Sequence, residues 1–321
     1  MLFAHPVHGE ERSAPEVVIK YFELTSGRLA FVLKKTDSSD IWVLDFETLV
    51  IKPLVATPGQ DNSPNWSPDG QTLVFDSEVD GDREIFSVRA DGSGLKRLTT
   101  NKGDDRDPDW SPDGAEIVFA SARGEDAPDI YTMKPDGTLV RPLGLEKRRT
   151  GSKRIMPRWS PRGGEIIYAS DEDWPGWDII LYDRAQKRAR MLTTGYRSFS
   201  RPAWHPAGSA FLLSYGSREE IDLWQFKKGA KELTPVVVRA GKDLDGVWTD
   251  DASKVFFSGE LSPGKNDFQL FIWDSAKNEI KQVASALAGT MLHPTWTPLS
   301  IQPEQEQKDA STKNSQAKTD K

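Results

Sequence analysis

The chain has 321 residues and no cysteine, which excludes disulfides and thiolate metal sites. Its formal net charge of -7 opposes general nucleic-acid binding, which needs excess positive charge on the contact face. No apolar run reaches the length of about 18 residues at which a segment reads as a membrane-spanning helix.

Taken in order, Met1 to Pro6 is too short to hold the charged start and apolar stretch of an export signal. The expected location is therefore periplasmic or secreted if a longer start supplies that signal, and cytoplasmic otherwise. Residues 1–25 read as an N-terminal extension, in which Val17–Phe22 forms an extra strand or a peptide lying on the domain. From Gly27 onward the chain changes character. Leu29-Ala30-Phe31-Val32, Asp40-Ile41-Trp42-Val43-Leu44 and Val50-Ile51-Lys52-Pro53-Leu54 are short β-branched and aromatic runs divided by polar turns. That is the pattern of antiparallel strands.

A stretch then repeats. Asn65-Trp66-Ser67-Pro68-Asp69-Gly70 returns as Asp109-Trp110-Ser111-Pro112-Asp113-Gly114. Weaker copies stand at Arg158–Gly163, Ala203–Gly208 and Val247–Ala252, and a fragment at Thr295–Pro298. The six tryptophans, Trp66, Trp110, Trp159, Trp204, Trp248 and Trp296, are 44, 49, 45, 44 and 48 residues apart. Between them recur second strands such as Leu73-Val74-Phe75 and Ile117-Val118-Phe119, and third strands such as Glu84-Ile85-Phe86 and Asp129-Ile130-Tyr131. Fourth strands are expected at Arg97–Thr99, Arg141–Leu143, Met191–Thr193, Glu232–Thr234 and Lys281–Val283. Asp91-Gly92 and Asp136-Gly137 supply turns between the third and fourth strands. No segment shows helical periodicity. Four short strands per unit define a propeller blade, so the chain reads as all-β, a six-bladed β-propeller over 26–299.

The repeated stretch has a structural role in this reading. Its Trp ends the innermost strand and wedges between blades. Ser-Pro-Asp-Gly then makes a type I turn, with Pro at the second position and Gly at the fourth. Second strands number six from residue 29, whereas the Trp-bearing inner strands start at Trp66 and end at Trp296. The ring therefore closes by pairing its two ends, with Met291–Trp296 as the inner strand of the first blade. Val17–Phe22 competes for that place, but Pro294 and Trp296 match the repeat better. Residues 300–321 are polar and are expected to be disordered.

These residues resemble the TolB propeller family, over about Gly27 to Leu299. The likeness rests on the Pro-x-Trp-Ser-Pro-Asp-Gly units at 64–70 and 108–114, on Asp129-Ile130-Tyr131, and on the ending His293-Pro294-Thr295-Trp296-Thr297-Pro298-Leu299. No stretch matches the α/β domain that precedes the propeller in the family's namesake. The resemblance implies a periplasmic protein of the Tol system that binds the peptidoglycan-associated lipoprotein at the propeller mouth.

Three residues before each Trp, at the expected mouth, stand Ser63, Asp107, Met156, Arg201, Asp245 and His293. Just outside lie Asp61, Arg106, Arg154 and Asp243. This ring is expected to hold a protein or peptide element, with Arg106 and Arg201 meeting carboxylates in bidentate contacts. The alternative is that the charges pair with one another and line a water-filled channel. The loop from Lys147 to Arg154, continuing to Arg158, is the one basic cluster, suited to an acidic partner or a solvated surface. Glu78–Asp82 and Asp171–Asp173 do not fit a calcium loop, so neither metal nor cofactor is expected. Catalysis has little support: there is no Gly-x-Ser-x-Gly, and His293 alone reaches the mouth, too few for a histidine-rich lyase centre. The function read here is a TolB-like, protein- or peptide-binding module of the envelope type. The alternatives are a lyase or glycosidase working at the mouth, and a non-catalytic scaffold.

Overall fold

The computed structural model describes residues 12–13, 24–123, 127–172, 176–193, 201–217, 219–285 and 287–298. Six antiparallel sheets make six blades, and no helix occurs among the described residues. Blade 1 takes its inner strand from the C-terminal part of the chain. Thr290–Thr297 pairs with Arg28–Lys34, and Ser39–Asp45 and Val50–Val55 follow outward. The ring thus closes as expected, and the place for which Val17–Phe22 competed is filled. Val17–Phe22 itself, like 300–321, lies outside the described residues. Arg12–Ser13 adds a fifth strand beyond Val50 and Ile51 on the outer edge of blade 1.

The other blades run in chain order. Their inner strands are Asp61–Trp66, Asp105–Trp110, Arg154–Trp159, Ala203–Trp204 and Asp243–Trp248. Second and third strands are buried on both faces, because each blade is covered by two neighbours. This explains their continuous apolar runs, such as Leu73-Val74-Phe75, all fully buried. The tryptophans wedge as expected. Trp66 packs on Ala30, Ile41 and Val43 of blade 1 as well as on its own blade. Trp159 does the same with Val118 and Ile130 of blade 3, and Trp248 with Leu212 and Leu223 of blade 5. Cations cap three of these rings: Arg28 lies 4.7 Å from Trp66, Arg184 4.7 Å from Trp159 and Lys228 5.9 Å from Trp204.

The turn after the Trp of blades 2 to 6 satisfies itself. The Gly70 N–H donates to the Ser67 carbonyl at 2.8 Å, and Ser67 Oγ donates to Asp69 at 2.5 Å while accepting the Thr72 N–H at 2.9 Å. Ser111, Asp113 and Glu116 repeat the set. The fourth turn residue is left-handed, with φ of 65° at Gly70, which is why glycine recurs there. Ala252 takes the same conformation at φ 56° without that freedom.

The outer strands are displaced in two blades: Arg188–Met191 and Thr234–Val237 replace the expected 191–193 and 232–234. In blades 2 and 4 the expected Leu-Thr pair follows the strand instead and extends the ladder with a side chain. Leu98 N donates to the Ile85 carbonyl, and Thr99 Oγ1 accepts the Ile85 N–H. Leu192 and Thr193 treat Ile179 alike.

Candidate functional site

The inner strands share one irregularity that decides what faces the channel. In blade 2, Asn62 faces Asp76 and Asn65 faces Val74, so Ser63 and Pro64 together oppose Phe75, a β-bulge. The bulged residue is left-handed in five blades: φ is 56° at Ser63, 55° at Asp107 and Met156, 56° at Asp245 and 52° at His293. Such a conformation is strained for a residue other than glycine. Pro64, Pro108, Pro157 and Pro294 follow it, and a bulge tolerates the N–H that proline lacks. A regular strand would put the residues one, three and five before the Trp on one face. The extra residue changes this. One, three and, in blades 2 to 4, four before the Trp turn to the channel, and five before turns into the blade.

A cavity of about 470 Å³ opens at the mouth. Blades 3 and 4 give it an apolar shelf of Ala120, Ala122, Pro128, Ile155, Met156 and Trp177. Asn62, Ser63, His293 and Arg201 line it from blades 1, 2 and 5, and Asp104, Arg106 and Lys153 from the shelf's own blades 3 and 4.

The floor is a buried polar network. Arg201 donates to Asp107 across the channel at 2.7 Å, and Ser63 Oγ donates to the same carboxylate at 3.1 Å. The Asp107 N–H donates to Asp76 at 3.2 Å, and Asp76 pairs with Arg83 at 2.7 Å. His293 stands between two oxygens, with Nδ1 2.5 Å from Asn62 Oδ1 and Nε2 3.4 Å from Asp245. These contacts tie blades 1, 2, 3, 5 and 6 together. Burial opposes ionisation of Asp107, but Arg201 and Arg158 hold its carboxyl below the ordinary range. Burial, reinforced by Arg201, pushes His293 well below the usual imidazole value. His293 is therefore neutral near pH 7, and one ring proton serves two oxygen neighbours. Beyond the floor, toward the Trp end, lies a second cavity of about 160 Å³, lined by Asn65, Asp109, Arg158, Asp245 and Thr295 among others, with Arg201 common to both cavities.

The structure sorts the expected residues. Ser63, Arg106, Asp107, Met156, Arg201 and His293 line the mouth cavity, and Asp245 lies at the floor. Asp61, Arg154 and Asp243 do not stand at the mouth: they are buried clasps on the loop arriving from the preceding blade. Thr57 donates to Asp61 from Oγ1 at 2.6 Å and from its backbone at 3.1 Å. Arg239 pairs with Asp243 at 2.7 Å, and Arg154 holds Asp129 at 3.3 Å and Glu172 at 3.0 Å. Burial pushes the Asp61 carboxyl up to about 7 and that of Asp243 to about 6. The two arginines expected to meet a partner are already paired, Arg106 with Asp104 and Arg201 with Asp107. Two guanidiniums of the basic loop are paired outside it, Arg148 with Asp129 and Arg154 with Asp129 and Glu172, while the Arg149 N–H donates to Glu172 and its guanidinium to the Asp171 carbonyl. Asn62, Lys153, Ile155, Trp177, Asp109 and Arg158 were not expected at the site. A signal for two of them exists: the residue before each Trp varies as widely as the one three before it, and both Asp109 and Arg158 hold that position. Among the described residues no group of three His, Asp or Glu side chains is placed to hold a metal ion.

A family model described as "TolB beta propeller domain" matches residues 12–200, more than half of the chain. A stretch of 75 residues is 37% identical to the Tol-Pal system protein TolB of Syntrophus aciditrophicus, covering 22% of this chain and 17% of that protein. The chain thus spans far less than two thirds of that relative. The structure superposes on TolB from Acinetobacter baumannii with a TM-score of 0.73 at 19% identity, over 86% of this chain and 68% of the other. An oligogalacturonate lyase in complex with manganese gives 0.55 at 16% identity, over 80% of this chain and 73% of the other. At these identities the structural likenesses are of fold.

Proposed function

The chain belongs to the TolB β-propeller family, and from that premise we propose that residues 26–299 form a protein-binding module of the envelope, Tol type. It docks a projecting peptide element of its partner in the mouth cavity and works in the periplasm. The observation that carries this reading is the two-sided wall of that cavity. An apolar shelf built on Trp177, Ile155 and Met156 lies beside Lys153, whose ammonium has no carboxylate partner among the described residues. The element that fits carries an apolar side chain for the shelf and a neighbouring acidic group for Lys153. The floor beneath is pre-organised by its own ion pair and hydrogen bonds, so docking orders little. The lyase likeness is one of fold and adds no second reading. The test is titration calorimetry with the soluble domain of the peptidoglycan-associated lipoprotein encoded in the same genome. Trp177→Ala is expected to weaken binding at least about tenfold with the fold intact, as aromatic anchors do. Unchanged affinity in Trp177→Ala and Lys153→Glu overturns the proposal.

A further inference from the structure

The smaller cavity holds a guanidinium, that of Arg158, which acts on the floor's Asp107 through space but makes no hydrogen bond to it. Arg158 is 8% exposed, and its Nη1 donates to the Pro157 carbonyl at 2.7 Å. Asp109, Asp107 and Asp245 act on its guanidinium through space, but among the described residues none is within ion-pair reach, and the side chain lines the cavity. A guanidinium carries five N–H donors, and leaving them unmatched in a buried site is costly. Of the other polar walls, the Trp159 indole N–H is buried without a partner, and the rest are held. Asn65 donates to the Pro108 carbonyl at 2.7 Å and accepts from Thr295 at 3.5 Å. Asp109 accepts the Trp159 N–H at 2.7 Å, and Arg201 is held by Asp107. Arg158 is therefore the cation of this chamber that, among the described residues, has no carboxylate in ion-pair reach.

The geometry points to a second binding site, on the far side of the floor from the mouth, in which Arg158 grips the carboxylate of a small acid or of a peptide C-terminus through two parallel hydrogen bonds. The planar fork of guanidinium matches a carboxylate in this way. A volume of about 160 Å³ admits a carboxylate on a short stem and little more. Asp109 and Asp245 line the chamber and Asp107 acts on Arg158 through space, so a monoanion fits better than a phosphate dianion. Trp159 and Trp204 line the same chamber and supply apolar wall for the stem.

The probes are sodium acetate, a tripeptide with a free C-terminal carboxylate and the same tripeptide amidated. Each is titrated into the full nitrogen-15-labelled chain at constant ionic strength, and the side-chain Nε–H resonance of Arg158 is followed. A saturable shift with acetate alone supports the site with a small acid as its source. A tighter shift with the free-ended peptide, absent with its amide, supports it with a chain terminus as the source. Arg158→Lys keeps the charge and loses the fork, so affinity read from the remaining chamber resonances is expected to fall about tenfold. Near-UV circular dichroism checks that this variant is folded, and Arg158→Met serves if it is not. No saturable shift with any carboxylate, equal response to chloride, or undiminished binding in the folded variant overturns the inference. Trp177→Ala leaves this site unchanged, which separates its failure from failure of the mouth reading.

Discussion

At the Trp end of blades 2 to 6 the turn closes on itself within six residues, as Ser67, Asp69, Gly70 and Thr72 do. At the mouth end the same inner strands make bonds that span the ring: Arg201 of blade 5 meets Asp107 of blade 3, and His293 of blade 1 meets Asn62 of blade 2. Local closure lets one pattern serve in blades 2 to 6, so those copies stay recognisably alike. Contacts across a channel need a different residue from each blade, so the copies disagree there. Repetition in this chain marks the self-closing turns, and divergence at fixed spacing marks the residues that meet across the channel.

The largest expected effect tests the repeated end. Trp66→Ala removes a wedge shared by two blades and is expected to cost about 3–5 kcal/mol in urea denaturation, while leaving the mouth residues in place. If it costs under about 1 kcal/mol, the wedge does not hold the blades.

The next effect is one of pH and concerns the clasps. Asp61 has its carboxyl raised from 3.8 to about 7, so the folded chain holds a proton that the unfolded chain has released. Its contribution is present below about pH 4 and lost as pH rises through 7, worth about 4 kcal/mol at most. Asp61→Asn is expected to flatten the fall in stability between those values. His293 runs the other way: its pKa is depressed below 6.5, so its contribution is lost as pH falls below that value. Melting temperatures across pH 4 to 8 in the two single variants, Asp61→Asn and His293→Gln, separate the two slopes.

A smaller effect belongs to the floor. Arg201→Met strands a buried carboxylate and is expected to cost about 3 kcal/mol, which Arg201→Met with Asp107→Leu largely recovers. Absence of recovery means the two side chains act separately. The smallest is a gain at the repeated end. Ala252→Gly relieves a left-handed alanine where the other turns use glycine, and about 0.5 kcal/mol is expected in the same denaturation experiment.

Much of the fold was legible because its signals are local or periodic. The spacing from Trp66 to Trp296 gave the blades, and the offset between first and second strands gave the closure through Thr290–Thr297. The outer strands were less legible because only a few residues pair there and a Leu-Thr clasp imitates a strand. The site was half legible. Ser63, Asp107, Met156 and His293 were found by their disagreement at one position. Asp61, Arg154 and Asp243 were set just outside the mouth by their nearness to its ring, whereas the bulge turns the fifth residue before the Trp into the blade. Proline two before the Trp in five of the six copies carried that information. Trp177 and Lys153 come from loops whose approach to the channel no spacing encodes.

The direct test sets one end against the other with a single partner. Affinity for the peptidoglycan-associated lipoprotein domain is measured by calorimetry in Trp177→Ala at the mouth and Ser111→Ala in a repeated turn. A loss of at least about tenfold in Trp177→Ala, with Ser111→Ala within about twofold of the unaltered chain, is predicted. Equal losses in both, or a loss confined to Ser111→Ala, contradicts the placement of function at the divergent end.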